Sequence, residues 1–324
     1  MRTVLRELRR SARGVNGPGG CEIGPRPIDL HLKALRNMGA KIQDAQGGFI
    51  TCEAERLKGC DIHLDYPSVG ATENIMLASV FSDGETYIRN AAKEPEIVDL
   101  QNYLNALGAD IIGAGSSIVR IRGNNSRLRD VEYEIMPDRI VAGTYMIAAG
   151  ITGGDVRIKN VVPEHLNSVT SILRDCGCHL KFSGNQLHMV GPVRPRSADI
   201  IRTLPYPGFP TDMQAQMVAL LTVARGTSII VETVFENRYK HVDELLRMGA
   251  SIKLEGRIAV IKGVKKLTGA NVFARDLRGG AALVLAGLAA EGETVVGNIR
   301  HIERGYENID EKLRGLGAII RKEE

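Results

Sequence analysis

Residues 97–112, IVDLQNYLNALGADII, contain the pattern that decides the fold. Ile97, Leu100 and Leu104 recur at the period of about 3.6 residues that places side chains on one face of a helix. Gly108 follows the last turn and suits a left-handed helix end, after which the chain enters a short apolar strand. The stretch therefore predicts an amphipathic helix, a glycine stop and a strand.

The same phrase of helix, glycine and strand occurs five times along the chain. Its glycines are Gly39, Gly108, Gly177, Gly249 and Gly317. By subtraction, their spacings are 69, 69, 72 and 68 residues. Spacing as even as this predicts a structural repeat of ~70 residues.

A second phrase alternates with the first: a polar start, a helix of small apolar residues, a glycine and a strand. The four polar starts are Ser68, Asp138, Asp212 and Asp276. A helix that is apolar on all faces belongs inside a domain, where other elements cover it. Each repeat is thus predicted to hold one buried helix, one amphipathic outer helix and several strands. We favour two globular α/β domains of such units over an elongated solenoid.

The composition argues against several classes of protein. Lys and Arg number 42 against 38 Asp and Glu, and a net charge of +4 is too balanced for electrostatic binding to nucleic acid or a membrane. No apolar stretch is long enough to span a bilayer as a helix. The 5 cysteines form no CxxC pair, and the 7 histidines have no metal-ligand spacing. We therefore expect a protein of the reducing cytoplasm with no bound metal.

The polar starts of the four apolar helices are the first chemical clue. Ser and Asp are favoured N-caps, and capping alone accounts for roughly half of them. The alternative is that several positive helix ends converge on one anionic ligand. Asp212 stands out because it follows the Pro-Gly-x-Pro bend in YPGFPTDMQAQ, residues 206–216, where it is placed for proton transfer.

A glycine-rich stretch near the start, GPGGCEIGPRPIDLH at residues 17–31, predicts a mobile loop that acts as a lid. Cys21 lies in it, ahead of Arg26 and a helix start near Pro27, and both settings lower the pKa of a thiol. Cys21 is thus a candidate acid or nucleophile, against the alternative of an incidental cysteine.

Four arginines lie in short motifs that suit anion binding. They are Arg26, Arg238 in VFENRYKH, Arg278 in RDLRGGAAL and Arg304 in HIERGYENI. Arginine grips phosphate and carboxylate through paired hydrogen bonds, so the four can converge on one anion. For any one of them alone, a surface salt bridge is the better expectation.

Together these motifs resemble the UDP-N-acetylglucosamine enolpyruvyl transferases. PGGCEIGPRPIDLHLKALRNMGA, KEPEIVDLQNYLNALGA, PGFPTDMQAQM, VFENRYKHVDELLRMGA and DLRGGAALVLAGL match that family in order and spacing from about Gly17 to the end. The related enolpyruvyl-shikimate-phosphate synthases share the fold but lack the PGGC lid. The resemblance implies two domains, each an inside-out α/β barrel.

The resemblance also implies a reaction. The enolpyruvyl group of phosphoenolpyruvate would pass to the 3-hydroxyl of UDP-N-acetylglucosamine with release of phosphate, the first committed step of peptidoglycan synthesis. No metal or organic cofactor is expected, and the partners would be these two small molecules, with no nucleic acid and no membrane.

Residue roles follow from the same resemblance. Cys21 would protonate the methylene of phosphoenolpyruvate and would react with fosfomycin, and Asp212 would act as base on the sugar hydroxyl. Residues implied to bind UDP-N-acetylglucosamine are Arg26, Pro27, Ile28, Asp29, Leu30, Ser68, Val69, Gly70, Asp212, Val234 and Phe235. Those implied to bind phosphoenolpyruvate are Arg26, Arg238, Asp276, Arg278 and Arg304.

The N-terminal part departs from the family. The Lys-Asn pair that contacts substrate in the family has no counterpart here, and six units of ~70 residues would need ~420. We therefore expect residues 1–135 to form a lid-bearing domain that lacks the family's first ~95 residues, and 136–324 a second domain short of ~20 residues of strand. The alternative to an active transferase is a catalytically impaired relative that binds a nucleotide sugar.

Overall fold

The computed structural model describes residues 13–16, 28–45, 49–123 and 128–323. Two compact units divide these residues, the first ending at Met136 and the second beginning at Pro137. None of the helices in the described ranges combines the length and apolar character that a membrane crossing requires.

The described residues of the first unit form two sheets and three helices. Its helices are α1 (Asp29–Asn37), α2 (Val69–Ser79) and α3 (Pro95–Ala106). Its strands are β1 (Arg13–Asn16), β2 (Lys41–Ala45), β3 (Phe49–Glu53), β4 (Asp61–His63), β5 (Glu85–Arg89), β6 (Asp110–Ile112) and β7 (Ile118–Arg122). The strand orders are β1-β3-β2 and β4-β5-β7-β6. Among these described strands the β4–β5 pair is parallel and the other neighbouring pairs are antiparallel.

The second unit repeats this construction around more helices. Its helices are α4 (Arg139–Thr152), α5 (Asn167–Asp175), α6 (Gln214–Thr222), α7 (Val242–Arg247), α8 (Leu277–Leu288), α9 (Arg300–Glu303) and α10 (Ile309–Gly315). Its strands are β8 (Asp155–Ile158), β9 (His179–Ser183), β10 (Gln186–Val190), β11 (Ile200–Arg202), β12 (Thr227–Val231), β13 (Ser251–Glu255), β14 (Ile258–Lys262), β15 (Leu267–Thr268), β16 (Asn271–Phe273), β17 (Ala290–Glu291) and β18 (Val295–Gly297).

The sheets confirm the predicted repeat. In the second unit the order β11-β12-β14-β13 reproduces β4-β5-β7-β6, with the first pair parallel and the others antiparallel. The remaining sheets are β8-β10-β9, β15-β17 and β16-β18. All five repeat glycines adopt a left-handed backbone: Gly39, Gly108, Gly177, Gly249 and Gly317. A glycine is favoured there because a Cβ would strain that conformation.

The small-residue helices form the interior, as predicted. Every residue of α6 is buried, and so are the residues of α8 from Gly279 to Ala286. The helices α4 and α6 approach closely, since a Cβ added at Gly150 would lie 2.9 Å from Leu220 Cδ1. In the first unit, Ile97 and Leu104 turn one face of α3 into the core. The repeat therefore buries one helix in each of these copies.

Capping explains three of the four polar helix starts, more than the sequence predicted. Ser68 accepts from the backbone N–H of Ala71, and Asp138 and Asp276 each accept from two N–H groups of the helix that they begin. Asp212 differs, because it lies inside a short 3-10 helix, Thr211–Met213, that precedes α6. Its carboxylate caps no helix and is engaged elsewhere.

Candidate functional site

Asp212 is the centre of a charged cluster in the second unit. Its Oδ1 atom accepts a hydrogen bond from Arg238 Nη2 at 2.6 Å and a longer one from Arg278 Nε at 3.4 Å. The Arg238 side chain is only 3% exposed, whereas that of Asp212 retains 45% of its surface. The carboxylate is therefore held by two guanidinium groups and still reaches solvent.

Three separate segments bring these side chains together. Asp212 follows the 206–210 bend, which contains a cis peptide between Tyr206 and Pro207. Arg238 lies in the loop between β12 and α7, and Arg278 lies in the first turn of α8. The sequence separates Asp212 from Arg278 by 66 residues, so the repeat is what makes them neighbours.

The two arginines control the charge of Asp212. Desolvation favours the neutral carboxyl, but the positive charges and hydrogen bonds of Arg238 and Arg278 outweigh it and lower the pKa of Asp212 to about 2. The carboxylate is therefore ionised at neutral pH. A group that drew the arginines away would raise this pKa and make the carboxylate a stronger base.

The same arginines retain donors for another anion. Arg238 Nε and Arg278 Nη1 are buried, and neither has a hydrogen-bond partner among the residues that the structure describes. Buried donors of this kind carry a desolvation cost unless something accepts from them. Arg278 also stands at the N-terminus of α8, where the helix dipole favours negative charge. The cluster can therefore bind a phosphate or carboxylate group beside Asp212.

Asp276 fixes the start of α8. Its Oδ1 atom accepts from the backbone N–H groups of Arg278 at 3.0 Å and Gly279 at 2.8 Å. The neighbouring His241 is buried, and burial lowers its pKa to about 4, although the charge of Asp276 opposes the shift. A neutral imidazole therefore lies beside the cap, and the positive charge of the cluster remains on the arginines.

Aromatic rings support both guanidinium groups. Arg238 lies 5.1 Å from the centroid of the Phe235 ring, and Arg278 lies 5.4 Å from that of Tyr306. The Tyr306 hydroxyl accepts from Gln216 Nε2 at 3.1 Å, inside the helical core. These cation–π contacts help to hold the two guanidinium groups in place.

Val234 and Phe235 follow β12 at a turn that is fixed by Glu232. Their backbone N–H groups donate to Glu232 Oε1 at 2.9 and 3.1 Å. The predicted contact residues are thus brought next to Arg238. Arg304 follows α9 with an exposed side chain, two residues before Tyr306.

A second cluster of predicted residues lies in the first unit. Ile28, Asp29 and Leu30 begin α1, and Ser68, Val69 and Gly70 begin α2. The two helix starts adjoin, since a Cβ at Gly70 would lie 3.3 Å from His31 Cε1. His31 Nδ1 also lies 2.6 Å from Asn74 Nδ2. Two sets of helix N-terminal N–H groups are therefore available to one anionic ligand.

Three predicted site residues lie outside the described residues: Cys21, Arg26 and Pro27. Within the described ranges, no three His, Cys, Asp or Glu side chains form a group that could hold a metal ion.

Several residues at the site carried no sequence signal that singled them out. Glu232, Thr211, Tyr306 and Gln216 join the cluster only through contacts made by the fold.

Comparison with known proteins defines the class. A model of the EPSP synthase (3-phosphoshikimate 1-carboxyvinyltransferase) family matches residues 3–313. The enolpyruvyl transferase NikO from Streptomyces tendae superposes with a TM-score of 0.82 at 26% identity, over 92% of this chain and 73% of that one. EPSP synthase from Acinetobacter baumannii superposes with a TM-score of 0.72 at 20% identity, over 100% and 78%. The fold is that of the enolpyruvyl transferases, as predicted.

Curated sequences narrow the class to one family. UDP-N-acetylglucosamine 1-carboxyvinyltransferase 2 of Caldanaerobacter subterraneus subsp. tengcongensis is 56% identical over 94% of this chain and 73% of its own length. UDP-N-acetylglucosamine 1-carboxyvinyltransferase 1 of Carboxydothermus hydrogenoformans is 57% identical over 94% and 72%. The chain belongs to the UDP-N-acetylglucosamine 1-carboxyvinyltransferase family, which confirms the resemblance in its motifs.

Proposed function

We propose that this chain transfers the enolpyruvyl group of phosphoenolpyruvate to the 3-hydroxyl of UDP-N-acetylglucosamine and releases phosphate, the first committed step of peptidoglycan synthesis. The observation that carries the proposal is the Asp212 carboxylate between Arg238 and Arg278, two arginines with buried donors still to satisfy. The family membership supplies the identity of the two substrates.

The first step is an addition across the double bond of phosphoenolpyruvate. The proton of the sugar hydroxyl passes to Asp212, and the hydroxyl oxygen bonds to C2 of phosphoenolpyruvate. C3 gains a proton from the acid, for which the lid residue Cys21 is our candidate. Positioned acids and bases of this kind accelerate proton transfer by about 10²–10⁴-fold each.

The second step is an elimination. The bond between C2 and the phosphate oxygen breaks, phosphate leaves with the bonding electrons, and C3 loses a proton so that the double bond forms again. Negative charge grows on the departing phosphate. Arg238, Arg278 and Arg304 stabilise that charge in our proposal, and Asp276 holds the start of α8 that carries Arg278.

Binding of phosphoenolpyruvate also prepares Asp212 as a base. With a pKa of about 2, the carboxylate is a weak proton acceptor while both arginines hold it. An anion that takes hydrogen bonds from Arg238 and Arg278 weakens their hold and raises the pKa of Asp212. Asp212 would then become an effective base only when phosphoenolpyruvate is bound.

The first unit supplies binding groups for the sugar nucleotide. Ile28, Asp29 and Leu30 of α1, together with Ser68, Val69 and Gly70 of α2, present helix starts that suit the diphosphate. We assign Arg26 and Pro27 to the same ligand from the motif alone. Val234 and Phe235 are assigned to the sugar, beside Asp212.

The proposed setting is the cytoplasm. The four described cysteines, Cys52, Cys60, Cys176 and Cys178, are free thiols, which suits a reducing compartment. The partners that we propose are the two substrates, without a metal or organic cofactor.

The deciding experiment measures phosphate released by the purified chain from phosphoenolpyruvate and UDP-N-acetylglucosamine. Phosphate should appear only when both substrates are present, together with an enolpyruvyl product seen by mass spectrometry. Binding of the nucleotide sugar with no turnover would refute transferase activity and support the impaired relative instead. Asp155→Asn, an exposed aspartate of β8, is a matched control that should keep full activity.

Fosfomycin tests the assignment of Cys21 separately. One covalent addition should appear in the intact mass and map to Cys21, because the epoxide reacts with the thiolate of the lid cysteine. Cys21→Ser should abolish the addition. Labelling that persists in this variant would remove Cys21 from the site.

A further inference from the structure

Glu232 is a buried carboxylate at the end of β12 that the proposed chemistry does not use. Its side chain is 1% exposed and accepts hydrogen bonds from both flanking segments. The donors are Thr203 Oγ1 at 2.9 Å, Thr211 Oγ1 at 2.9 and 3.0 Å, and the backbone N–H groups of Val234 and Phe235 at 2.9 and 3.1 Å. Glu232 is therefore a fully satisfied hub beside the cluster.

Thr211 connects this hub to the charged cluster. Its hydroxyl oxygen lies 2.9 Å from Glu232 Oε2 and also 3.0 Å from Arg238 Nη1. A guanidinium group only donates, and a carboxylate among donors only accepts. The single hydroxyl proton must therefore point to Glu232, which leaves a lone pair of Thr211 for Arg238.

The direction of these bonds fixes the orientation of the guanidinium plane. With Nη1 held by Thr211, Nη2 is directed to Asp212 Oδ1 at 2.6 Å. Nε is then the remaining donor of this guanidinium group, buried and without a hydrogen-bond partner among the described residues. If the guanidinium group rotated or moved, Nη2 would no longer be directed to Asp212 and Nε would no longer be the remaining donor.

We propose that Glu232 and Thr211 are positioning residues, which orient the Arg238 guanidinium so that it holds Asp212 through one nitrogen and offers another to the anionic substrate. The assignment rests on the proposed function for its effect on turnover. The orientation of Arg238 itself is inferred from the hydrogen-bond directions alone.

Thr203 provides a matched control for Thr211. Both hydroxyls donate to Glu232 and both accept one further hydrogen bond, but the donor to Thr203 is the backbone N–H of Thr233 rather than Arg238. Valine replaces threonine with nearly the same shape. Thr203→Val and Thr211→Val therefore each remove one donor to Glu232, and only the second disconnects Arg238.

The kinetic test compares these two variants with the unmodified chain. Thr211→Val should lower kcat about tenfold or more, the usual effect of losing a hydrogen bond to a charged group. It should raise KM for phosphoenolpyruvate more than KM for the nucleotide sugar, whereas Thr203→Val should change each constant by less than about threefold. Thr211→Ser keeps the hydroxyl and should restore most of the loss. Equal effects of the two valine variants would overturn the proposal.

A second measurement does not depend on turnover. The protein is prepared with ¹⁵N-labelled arginine and studied by NMR. The Arg238 signal is assigned by its loss in Arg238→Lys. Rotation about the Cζ–Nε bond of Arg238 is then followed by line broadening. Thr211→Val and Glu232→Gln should both speed this rotation, since the amide nitrogen of glutamine donates where Glu232 Oε2 accepted. Thr203→Val should leave it unchanged.

The two measurements separate the two ideas. If the unmodified chain shows no turnover but Arg238 rotates faster in Thr211→Val, the proposed function is refuted and the positioning role is kept. If the unmodified chain shows turnover but Arg238 rotates at the same rate in Thr211→Val, only the positioning role is refuted.

Discussion

Asp276 and Asp212 occupy the same place in neighbouring repeats, and the fold uses them in opposite ways. Asp276 is 3% exposed and accepts both of its hydrogen bonds from the helix that it begins. Asp212 accepts none from α6 and instead binds Arg238 and Arg278. One position of the repeat thus serves as a helix cap in one copy and as an arginine-bound carboxylate in another.

The 3-10 helix before α6 explains the difference. The backbone N–H of Met213 donates to the carbonyl oxygen of Pro210 at 2.9 Å, and that of Gln214 donates to the carbonyl oxygen of Thr211. These N–H groups would otherwise need the side chain of a capping residue. Because backbone carbonyls satisfy them, the Asp212 carboxylate is released for other contacts.

The largest effect should come from Asp212→Asn. The amide keeps the size of the side chain but accepts a proton poorly, so we expect kcat to fall by about 10²–10⁴-fold. Steady-state phosphate release measures the loss, with Asp155→Asn as the control. Activity within about threefold of the unmodified chain would place the base elsewhere.

Asp276→Ala should act mainly on stability. Removal of an N-cap costs about 1–2 kcal/mol, so the free energy of unfolding in urea should fall by that amount. Asp276→Asn retains a capping oxygen and should recover most of it. If Asp276→Ala left the unfolding free energy unchanged, the contacts with Arg278 and Gly279 would not be what stabilises the start of α8.

Asp138→Ala extends the comparison to a third copy. Asp138 accepts from Ile140 and Val141 at 2.8 and 2.9 Å and has no proposed part in the chemistry. The variant should lose about 1 kcal/mol of unfolding free energy, while kcat stays constant. A fall in kcat at full saturation would show that the cap of α4 also orders the site.

A further expected effect is a pH dependence of stability. The pKa of Asp212 is lowered from its ordinary value of 3.8, which applies to the unfolded chain, to about 2 in the folded chain. Its contribution to stability is therefore present above about pH 4 and is lost as the pH falls to about 2. Urea unfolding of the unmodified chain and of Asp212→Asn should converge across that interval. A constant difference between them would contradict the lowered pKa.

The sequence predicted the architecture well because each copy of the repeat carries local signals. Gly108 marks a left-handed stop, Ile97 and Leu104 mark a buried face, and the capping aspartates begin the apolar helices. Propensity and periodicity act within a few residues, so one copy could be compared with the next.

The arrangement of the site was less predictable. The motifs indicated Asp212, Arg238 and Arg278. They did not indicate that Asp212 leaves α6 uncapped, or that the two arginines bind its carboxylate. Glu232 and Thr211 are 21 residues apart and meet only across the fold. Such contacts depend on the registers of separate segments, which no local pattern in a single sequence specifies.

The repeat glycines allow one substitution to be made at four equivalent positions of the fold. A Cβ added at Gly39, Gly108, Gly249 or Gly317 would meet no atom within 4 Å, so Gly→Ala imposes the same backbone strain at each place and no collision. That strain is about 1–2 kcal/mol. A measured loss well below this value at one glycine would mean that its repeat opens locally at less cost than the strain, so the four losses would identify the least stable copy.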